Sequence, residues 1–193
     1  MAYTPKILAF AGSARKESFN KKLIKIAAGG AKKAGAEVTM IDLRDYPMPL
    51  FDQDLEAQEG MPVNAKKVKS LMATHDGFLI SSPEYNSSIS PLLKNVIDWA
   101  SRREQNESPL IAYKDKVVAL MSVSPGALGG LRGLVTVRSI LGNIGVFVLP
   151  HQRAVSNAAE AFNAEGNLKD EKLQAEIESL GKETAEMIRK LKS

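Results

Sequence analysis

The sequence contains no cysteine among its 193 residues. Without thiols the chain cannot form disulfides, use a thiolate nucleophile or bind a cluster through cysteine. Histidine is scarce too. The sequence has two, His75 and His151, which lie far apart and match no metal-ligand pattern. No apolar run approaches the roughly 18 to 20 residues that cross a bilayer, and the first residues lack a secretory signal pattern. We therefore expect a cytoplasmic protein without a metal site or membrane insertion.

The chain also lacks a large excess of either charge. Its 26 basic and 22 acidic residues leave a net charge of +4, which is too small to predict a nucleic-acid partner. The first 35 residues are more basic, with Glu17 as their one acid beside Lys6, Arg15, Lys16, Lys21, Lys22, Lys25, Lys32 and Lys33. A local positive field favours a phosphorylated ligand. The same lysines also fit a solvated helix face, and the sequence leaves both interpretations open.

The length and the 44% apolar content suit a single domain spanning residues 1–193. Short apolar runs predict strands at Lys6–Ala11, Glu37–Asp42, Gly77–Ser82, Lys116–Val123 and Val146–Leu149. Helical spacing predicts helices at Asn20–Gly35, Pro62–Thr74, Ser90–Ser101, Gly130–Leu141 and Leu173–Leu191. Leu43–Gly60 is predicted to be a long loop. Five alternations of strand and helix predict a doubly wound α/β fold with a parallel sheet of order 2-1-3-4-5 and helices on both faces.

The first candidate loop, Gly12–Asn20, follows a strand and opens a helix. A helix N-terminus presents free N–H groups and a positive dipole end, which suits a phosphate. Ser13, Ser18 and Asn20 can donate hydrogen bonds, and Arg15 adds a fixed charge. The loop is neither a Walker A sequence nor GxGxxG, so a mononucleotide phosphate is favoured over a pyrophosphate or ATP. A capped helix with a surface arginine is the alternative interpretation.

Two further loops follow the third and fourth strands. Ser82–Pro91 combines a proline turn with small polar side chains, and Tyr85 can border the face of a flat heterocycle. A well-capped turn would have the same composition. Ser122–Arg132 holds three glycines, which let the backbone approach a ligand closely. Loops after strands one, three and four converge beyond the carboxyl ends of a doubly wound sheet, so the three loops are predicted to form one site.

Together these motifs resemble the NADPH-dependent FMN reductase family, which includes flavin, quinone, azo and chromate reductases of flavodoxin-like fold. The resemblance rests on GSxRxxSxN after the first strand, PEYN followed by SPLLKNVIDW, and SPGxxGG after the fourth strand. The segment Met48–Glu56 also resembles the family's loop after strand two. The likeness covers Lys6–Leu149. It departs at Ser87, where the family usually has glycine.

The resemblance implies bound FMN, with NADPH or NADH as co-substrate. It implies an FMN phosphate at Ser13, Arg15, Ser18 and Asn20, with Gly12 and Phe19 of the same loop also binding the cofactor. It implies an isoalloxazine ring bordered on one side by Pro83, Glu84, Tyr85 and Asn86. Ser122 and Gly126 are expected near the other side of the ring.

The resemblance further implies a flavoenzyme in which hydride passes from the nicotinamide to flavin N5, with no catalytic side chain. Ping-pong kinetics follow if a quinone, azo compound, metal oxyanion or free flavin then stacks on the same flavin face. Relatives form homodimers or homotetramers, and the helices at Pro62–Thr74 and Ser90–Ser101 are the candidate contacts. Two alternatives remain: a flavodoxin-type electron carrier without NAD(P)H turnover, although such carriers are usually acidic, and a regulatory domain without flavin.

Overall fold

The computed structural model describes residues 3–192. Its main sheet is parallel and consists of β1 (Lys6–Ala11), β2 (Glu37–Met40), β3 (Gly77–Ser81), β6 (Val117–Val123) and β7 (Phe147–Val155). A separate antiparallel hairpin is formed by β4 (Glu84–Tyr85) and β5 (Ser88–Ile89). The sheet order is β2-β1-β3-β6-β7. This is the predicted order 2-1-3-4-5 with the hairpin strands left out, so the predicted fold is confirmed.

Helices cover both faces of the sheet: α1 (Phe19–Lys33), α2 (Gln53–Glu59), α3 (Val63–Thr74), α4 (Pro91–Ala100), α5 (Leu131–Asn143), α6 (Ala158–Ala161) and α7 (Glu171–Lys192). Side chains alternate across a strand, so β1 contributes to two cores. Ile7 and Ala9 pack under α1 and α7, whereas Leu8 and Phe10 pack under α3, α4 and α5. Among residues 3–192, no helix combines the length and the apolar character needed to span a membrane.

Local chemistry sets the ends of the predicted helices. After α1 the chain reaches Gly35 with φ of 78°, a left-handed conformation that glycine adopts without a steric penalty. The start of α4 is capped by Ser90, whose Oγ accepts from the Leu93 N–H at 3.3 Å, and Pro91 occupies the first turn. Both helix boundaries were predicted from these residue types.

Besides the short hairpin β4–β5 and α6, which were not predicted, the structure differs from the prediction in two longer segments. The predicted loop Leu43–Gly60 contains a short 3-10 turn and α2, and every residue of α2 is exposed or half-buried. Such a helix has no apolar stripe, so hydrophobic periodicity could not reveal it. The fifth strand continues to Val155 instead of ending at Leu149. Pro150 hid that extension because proline is unusual inside a strand.

The chain between β2 and α2 is ordered because it is bound to α4. The Pro49 carbonyl accepts hydrogen bonds from Asn95 Nδ2 and Trp99 Nε1, both at 2.9 Å. The Phe51 N–H donates to Asn95 Oδ1 at 2.8 Å, and the Phe51 ring meets the Trp99 ring edge-on at 5.0 Å. These contacts hold the segment between β2 and α2 against α4.

Helices α1 and α7 pack closely at two glycines. A Cβ on Gly30 would lie 2.0 Å from the Glu178 carbonyl oxygen, and one on Gly181 would lie 1.9 Å from the Ala27 carbonyl oxygen. These distances are far below van der Waals contact, so the two helices can adopt this spacing only with glycine at both positions.

Candidate active site

Asn20 joins the three predicted loops at the carboxyl edge of the sheet. Its Oδ1 accepts from Ser81 Oγ at 2.8 Å and from the Val123 N–H at 3.2 Å, and its Nδ2 donates to the Val123 carbonyl at 2.9 Å. The side chain is buried, and its partners end β3 and β6. Asn20 was expected to donate to a phosphate. In the structure its side-chain amide instead makes three hydrogen bonds that hold the loops together.

The start of α1 offers the geometry of an anion site. Within the described chain, Ser18 makes no side-chain capping bond to the helix, and the first turn contains no acid. The dipole end is therefore left without a protein anion. Ser13 is buried and its Oγ accepts from the Arg15 N–H at 3.3 Å, which shapes the loop. The Arg15 side chain is exposed, with Nη2 3.4 Å from the Glu17 carbonyl that accepts from it.

Gly12 and Phe19 flank this loop in different ways. The Gly12 carbonyl accepts from Ser90 Oγ at 2.7 Å, and a Cβ at Gly12 would approach Leu93 Cβ to 2.9 Å. The Phe19 ring stacks on Phe162 with centroids 5.9 Å apart. Gly12 thus draws the first loop against α4, while the Phe19 ring packs on the residue that follows α6.

The basic residues around α1 are partly neutralised inside the protein. Lys21 pairs with Asp42 and Lys33 pairs with Glu178. A cleft of about 520 Å³ between the start of α1 and the end of β2 is lined in part by Lys16, Lys22 and Lys25. The acids Glu17, Asp42 and Asp45 line the same cleft, so its four lysines exceed its acids by one.

The second loop is a hairpin with a two-residue turn. Asn86 and Ser87 have φ of 50° and 66°, as a type I′ turn requires. This conformation explains why glycine suits position 87, because a Cβ is disfavoured at positive φ. Tyr85 is 48% exposed on the hairpin, and Pro83 before it is buried. The turn keeps its shape with serine, and it bears backbone strain there.

Glu84 connects the hairpin to the start of α5. Its Oε1 accepts from Arg132 Nε at 3.0 Å and Nη2 at 2.7 Å, and its Oε2 accepts from the Gly133 N–H at 3.0 Å. Burial disfavours the ionised carboxylate, but the Gly133 N–H and the Arg132 guanidinium outweigh it and lower the pKa of Glu84. The Glu84 residue was expected to border the isoalloxazine ring. In the structure its carboxylate joins the second and third loops through Arg132 and Gly133.

The third loop folds tightly over the end of β6. Gly130 has φ of 93°, and a Cβ there would lie 1.9 Å from Ser122 Oγ. Ser122 is fully buried, and its hydroxyl has no hydrogen-bond partner among residues 3–192. The exposed Gly126 carbonyl accepts from the Gly129 N–H at 3.1 Å. The two predicted residues thus lie apart: Ser122 is buried in β6 beneath the loop, and Gly126 is exposed in the loop.

The profile of proteins described as NADPH-dependent FMN reductase matches residues 5–160. The chain belongs to the NADPH-dependent FMN reductase family. It is 35% identical to an NADPH:quinone oxidoreductase of Arabidopsis thaliana, over 86% of this chain and 83% of that protein. It is 31% identical to an NAD(P)H-dependent FMN reductase of Pseudomonas aeruginosa, over 90% and 89% of the two chains.

The solved structure of FerB, a flavoenzyme NAD(P)H:(acceptor) oxidoreductase from Paracoccus denitrificans, is also similar. It superposes with a TM-score of 0.80 at 27% identity, covering 97% of this chain and 98% of that one. The protein is thus an oxidoreductase of the FMN reductase and quinone reductase class, with FMN and NAD(P)H as its cofactors.

In this FMN reductase the two histidines have structural partners away from the loops. His75 contacts the Leu71 carbonyl at 2.6 Å and Thr39 Oγ1 at 2.8 Å, and His151 contacts Glu183 at 2.8 Å. In the part of the chain that the structure describes, no three His, Asp or Glu side chains are grouped as metal ligands.

Ser81 and Ser90 were missed as parts of the reductase site. Ser81 anchors Asn20, and Ser90 Oγ both caps α4 and donates to the Gly12 carbonyl. The signal for Ser81 is a small polar residue at the end of an otherwise apolar strand. Ser90 was predicted as a helix cap. Its hydrogen bond to Gly12 joins residues that are distant in sequence, so no local sequence pattern predicts it.

Proposed function

We propose that this chain is an FMN-bound NAD(P)H oxidoreductase that works by a ping-pong mechanism. The acceptor is a quinone, an azo compound, a metal oxyanion or free flavin. The observation that supports this proposal best is the junction at Asn20, which holds the loops after β1, β3 and β6 at one edge. That edge is where doubly wound sheets bind ligands. We further propose that residues 1–193 form a single FMN-binding domain and that the protein is cytoplasmic.

The first loop would hold the FMN phosphate. The N–H groups in the first turn of α1 point outward from the positive end of the helix, and Ser13 and Ser18 bring hydroxyl donors to the same place. Arg15 is exposed and can turn toward a phosphate in a two-pronged contact. The absence of an acid in the first turn removes a competitor for these donors.

The second and third loops would border the ring. Pro83, Tyr85 and Asn86 present the hairpin side, and Gly126 presents a turn without a side chain on the other. FMN, when bound, supplies the group that exchanges hydride with NAD(P)H, and the protein supplies position and N–H donors. Glu84 and Arg132 keep the two borders at a constant spacing. Tyr85 is exposed, and in this arrangement it would leave one face of the ring open to the donor and then to a flat acceptor.

The test is anaerobic absorbance of the FMN-loaded protein in the flavin band. NADPH and then NADH are added, followed by a benzoquinone. We expect rapid bleaching by at least one donor and recovery of the band with the quinone, and the two bleaching rates rank the donors. FMN that binds but is bleached by neither donor would favour the electron-carrier alternative. A protein that does not bind FMN would favour the regulatory alternative.

We also propose that the enzyme is a homodimer or homotetramer, and we now include α5 in the contact surface. The structure exposes Leu131 and Val135 on successive turns of α5, at 44% and 62%, next to the exposed Leu128. This surface adds to α3 and α4, the contact helices that the sequence predicts. Light scattering of the wild type against Val135→Glu tests this surface: a monomeric wild type, or an oligomer unaffected by the new charge, contradicts it.

A further inference from the structure

The last strand of the sheet changes register partway along its length. Val148 pairs with Val118, but Gln152 pairs with Leu120. Three residues, Leu149–His151, therefore stand opposite the single Ala119, and β7 carries two extra residues in a bulge. Pro150 sits in its middle, where the missing N–H costs no ladder hydrogen bond.

Arg138 of α5 binds the carbonyl groups that this bulge releases. Its guanidinium donates to the Leu149 carbonyl at 2.7 Å, with weaker contacts to the Val148 and Pro150 carbonyls at 3.5 and 3.4 Å. It also donates twice to Gln152 Oε1, at 3.1 and 3.0 Å. One cation thus bonds the bulge and the residue that follows it, on the edge strand of the sheet.

The alternation of side chains across the strand does not by itself select this register. A slip of one residue would turn every side chain to the opposite face, but a slip of two restores the original faces. Without the bulge, β7 would continue its first register and bring Arg153 opposite Val123, where Val155 now lies. Later residues would move by about 6 to 7 Å along the strand. Burial favours the bulged register, because it places Val155 rather than Arg153 in the core, and the contacts of Arg138 are specific to the same register.

The residues after the bulge support the third loop of the candidate site. The Val155 carbonyl accepts from the Ser124 N–H at 3.1 Å. Gly129 lies so close that a Cβ there would approach the Val155 backbone to within 2.6 Å. The same helix that carries Arg138 is bonded to the hairpin through Gly133 and Glu84. The register of β7 thus sets where the third loop sits against the second.

We propose that Arg138 is a positioning residue for the flavin site. By binding the bulge carbonyls it stabilises the register that puts Val155 beneath Ser124 and Gly129, and so helps to set the spacing of the loops that border the ring. This inference rests on the FMN site proposed above. In the protein without flavin, too, Arg138 stabilises the register of β7 after the bulge.

The test compares Arg138→Met with Arg138→Lys, which keeps the charge and some donors. Arg153→Met is the matched control, because Arg153 is on the same strand and pairs with Glu176 outside the bulge. The measurements are the FMN dissociation constant, by fluorescence quenching, and hydrogen exchange at the Ser124 amide in flavin-free protein. We expect Arg138→Met to weaken FMN binding roughly five- to thirtyfold and to speed Ser124 exchange, with amides inside α1 unchanged. Arg138→Lys should be intermediate, and Arg153→Met should match wild type.

Wild-type FMN affinity together with wild-type Ser124 protection in Arg138→Met would overturn the inference. Failure of the wild type to bind FMN would instead overturn the proposed function, and Ser124 exchange would still decide the role of Arg138. If Arg138→Met does not fold, Gln152→Leu replaces it, since this change removes the acceptor of two Arg138 bonds. It should act in the same direction with a smaller effect, and no change at Ser124 would again count against the inference.

Discussion

Replacing Glu84 with glutamine tests whether a carboxylate holds the hairpin to the start of α5. The wild-type oxygens accept two hydrogen bonds from Arg132 and one from the Gly133 N–H. Glutamine has the same shape but one oxygen. Whichever way the amide turns, its NH₂ group meets a donor, either the guanidinium or the Gly133 N–H. The variant therefore loses the charge and at least one hydrogen bond without creating a cavity.

The size of the loss follows from the exposure of each partner. The Glu84 side chain is 9% exposed, whereas that of Arg132 is 58% exposed. The ion pair is thus screened on one side and contributes about 0.2 to 1 kcal/mol. The bond from the Gly133 N–H to a charged acceptor is worth about 1.5 to 3 kcal/mol. We expect Glu84→Gln to lower the free energy of unfolding by about 2 kcal/mol, and the control Arg132→Met by less than about 1 kcal/mol.

The loss should depend on pH, because burial of Glu84 is outweighed by Gly133 and Arg132 and its folded pKa is lowered. The unfolded state binds the proton more tightly, so the carboxylate stabilises the fold fully above its unfolded pKa of about 4.3. That contribution disappears as the pH falls through the folded pKa. The difference in stability between wild type and Glu84→Gln should therefore shrink in acid.

Urea unfolding of both variants and wild type, at neutral pH and in steps down to roughly pH 3, measures these differences. FMN titration of the same proteins reports whether the loop spacing has changed. Equal stability of Glu84→Gln and wild type at neutral pH would refute the role of the carboxylate. If the difference in unfolding free energy between wild type and Glu84→Gln stays constant as the pH falls, the stabilisation does not come from the ionised Glu84 carboxylate.

Three further predictions concern single residues. Arg15→Ala should weaken FMN binding by about 1 to 3 kcal/mol, the scale of a hydrogen bond to a charged group. Unchanged affinity in an FMN titration would mean that the phosphate lies elsewhere. Ser87→Gly should raise the free energy of unfolding by about 0.5 to 1 kcal/mol, because glycine relieves the positive φ at a smaller entropic cost; a lower midpoint in urea would contradict this. Gly30→Ala should cost about 1 to 3 kcal/mol through the clash with the Glu178 carbonyl. Gly29→Ala, in open space on the same helix, should gain about 0.5 to 1 kcal/mol, and equal effects of the two would refute the packing argument.

Much of the architecture could be predicted from local sequence, because the rules involved act over a few residues. Continuous apolar runs such as Gly77–Ser82 indicate buried parallel strands, and their alternation with helical spacing leads to the doubly wound sheet. Gly35 and Ser90 marked helix boundaries through backbone freedom and capping. The segment Gly12–Asn20 indicated an anion-binding turn through residue types and position, and the family followed from its motifs.

Other features depend on which residues the fold brings together. Asn20 is bonded to Val123, 103 positions away, and Glu84 is bonded to Arg132 in the third loop. Either side chain could equally have faced a ligand as far as the sequence indicates. The bulge at Pro150 was hidden for the same reason, since Arg138 stabilises it only once α5 lies across β7. Hydrogen bonding between distant residues needs the tertiary register, whereas periodicity, capping and turn chemistry are already present in the unfolded chain. The sequence by itself thus determined the sheet and the kind of ligand it suits, and the tertiary structure decided which polar groups hold the loops and which remain for the ligand.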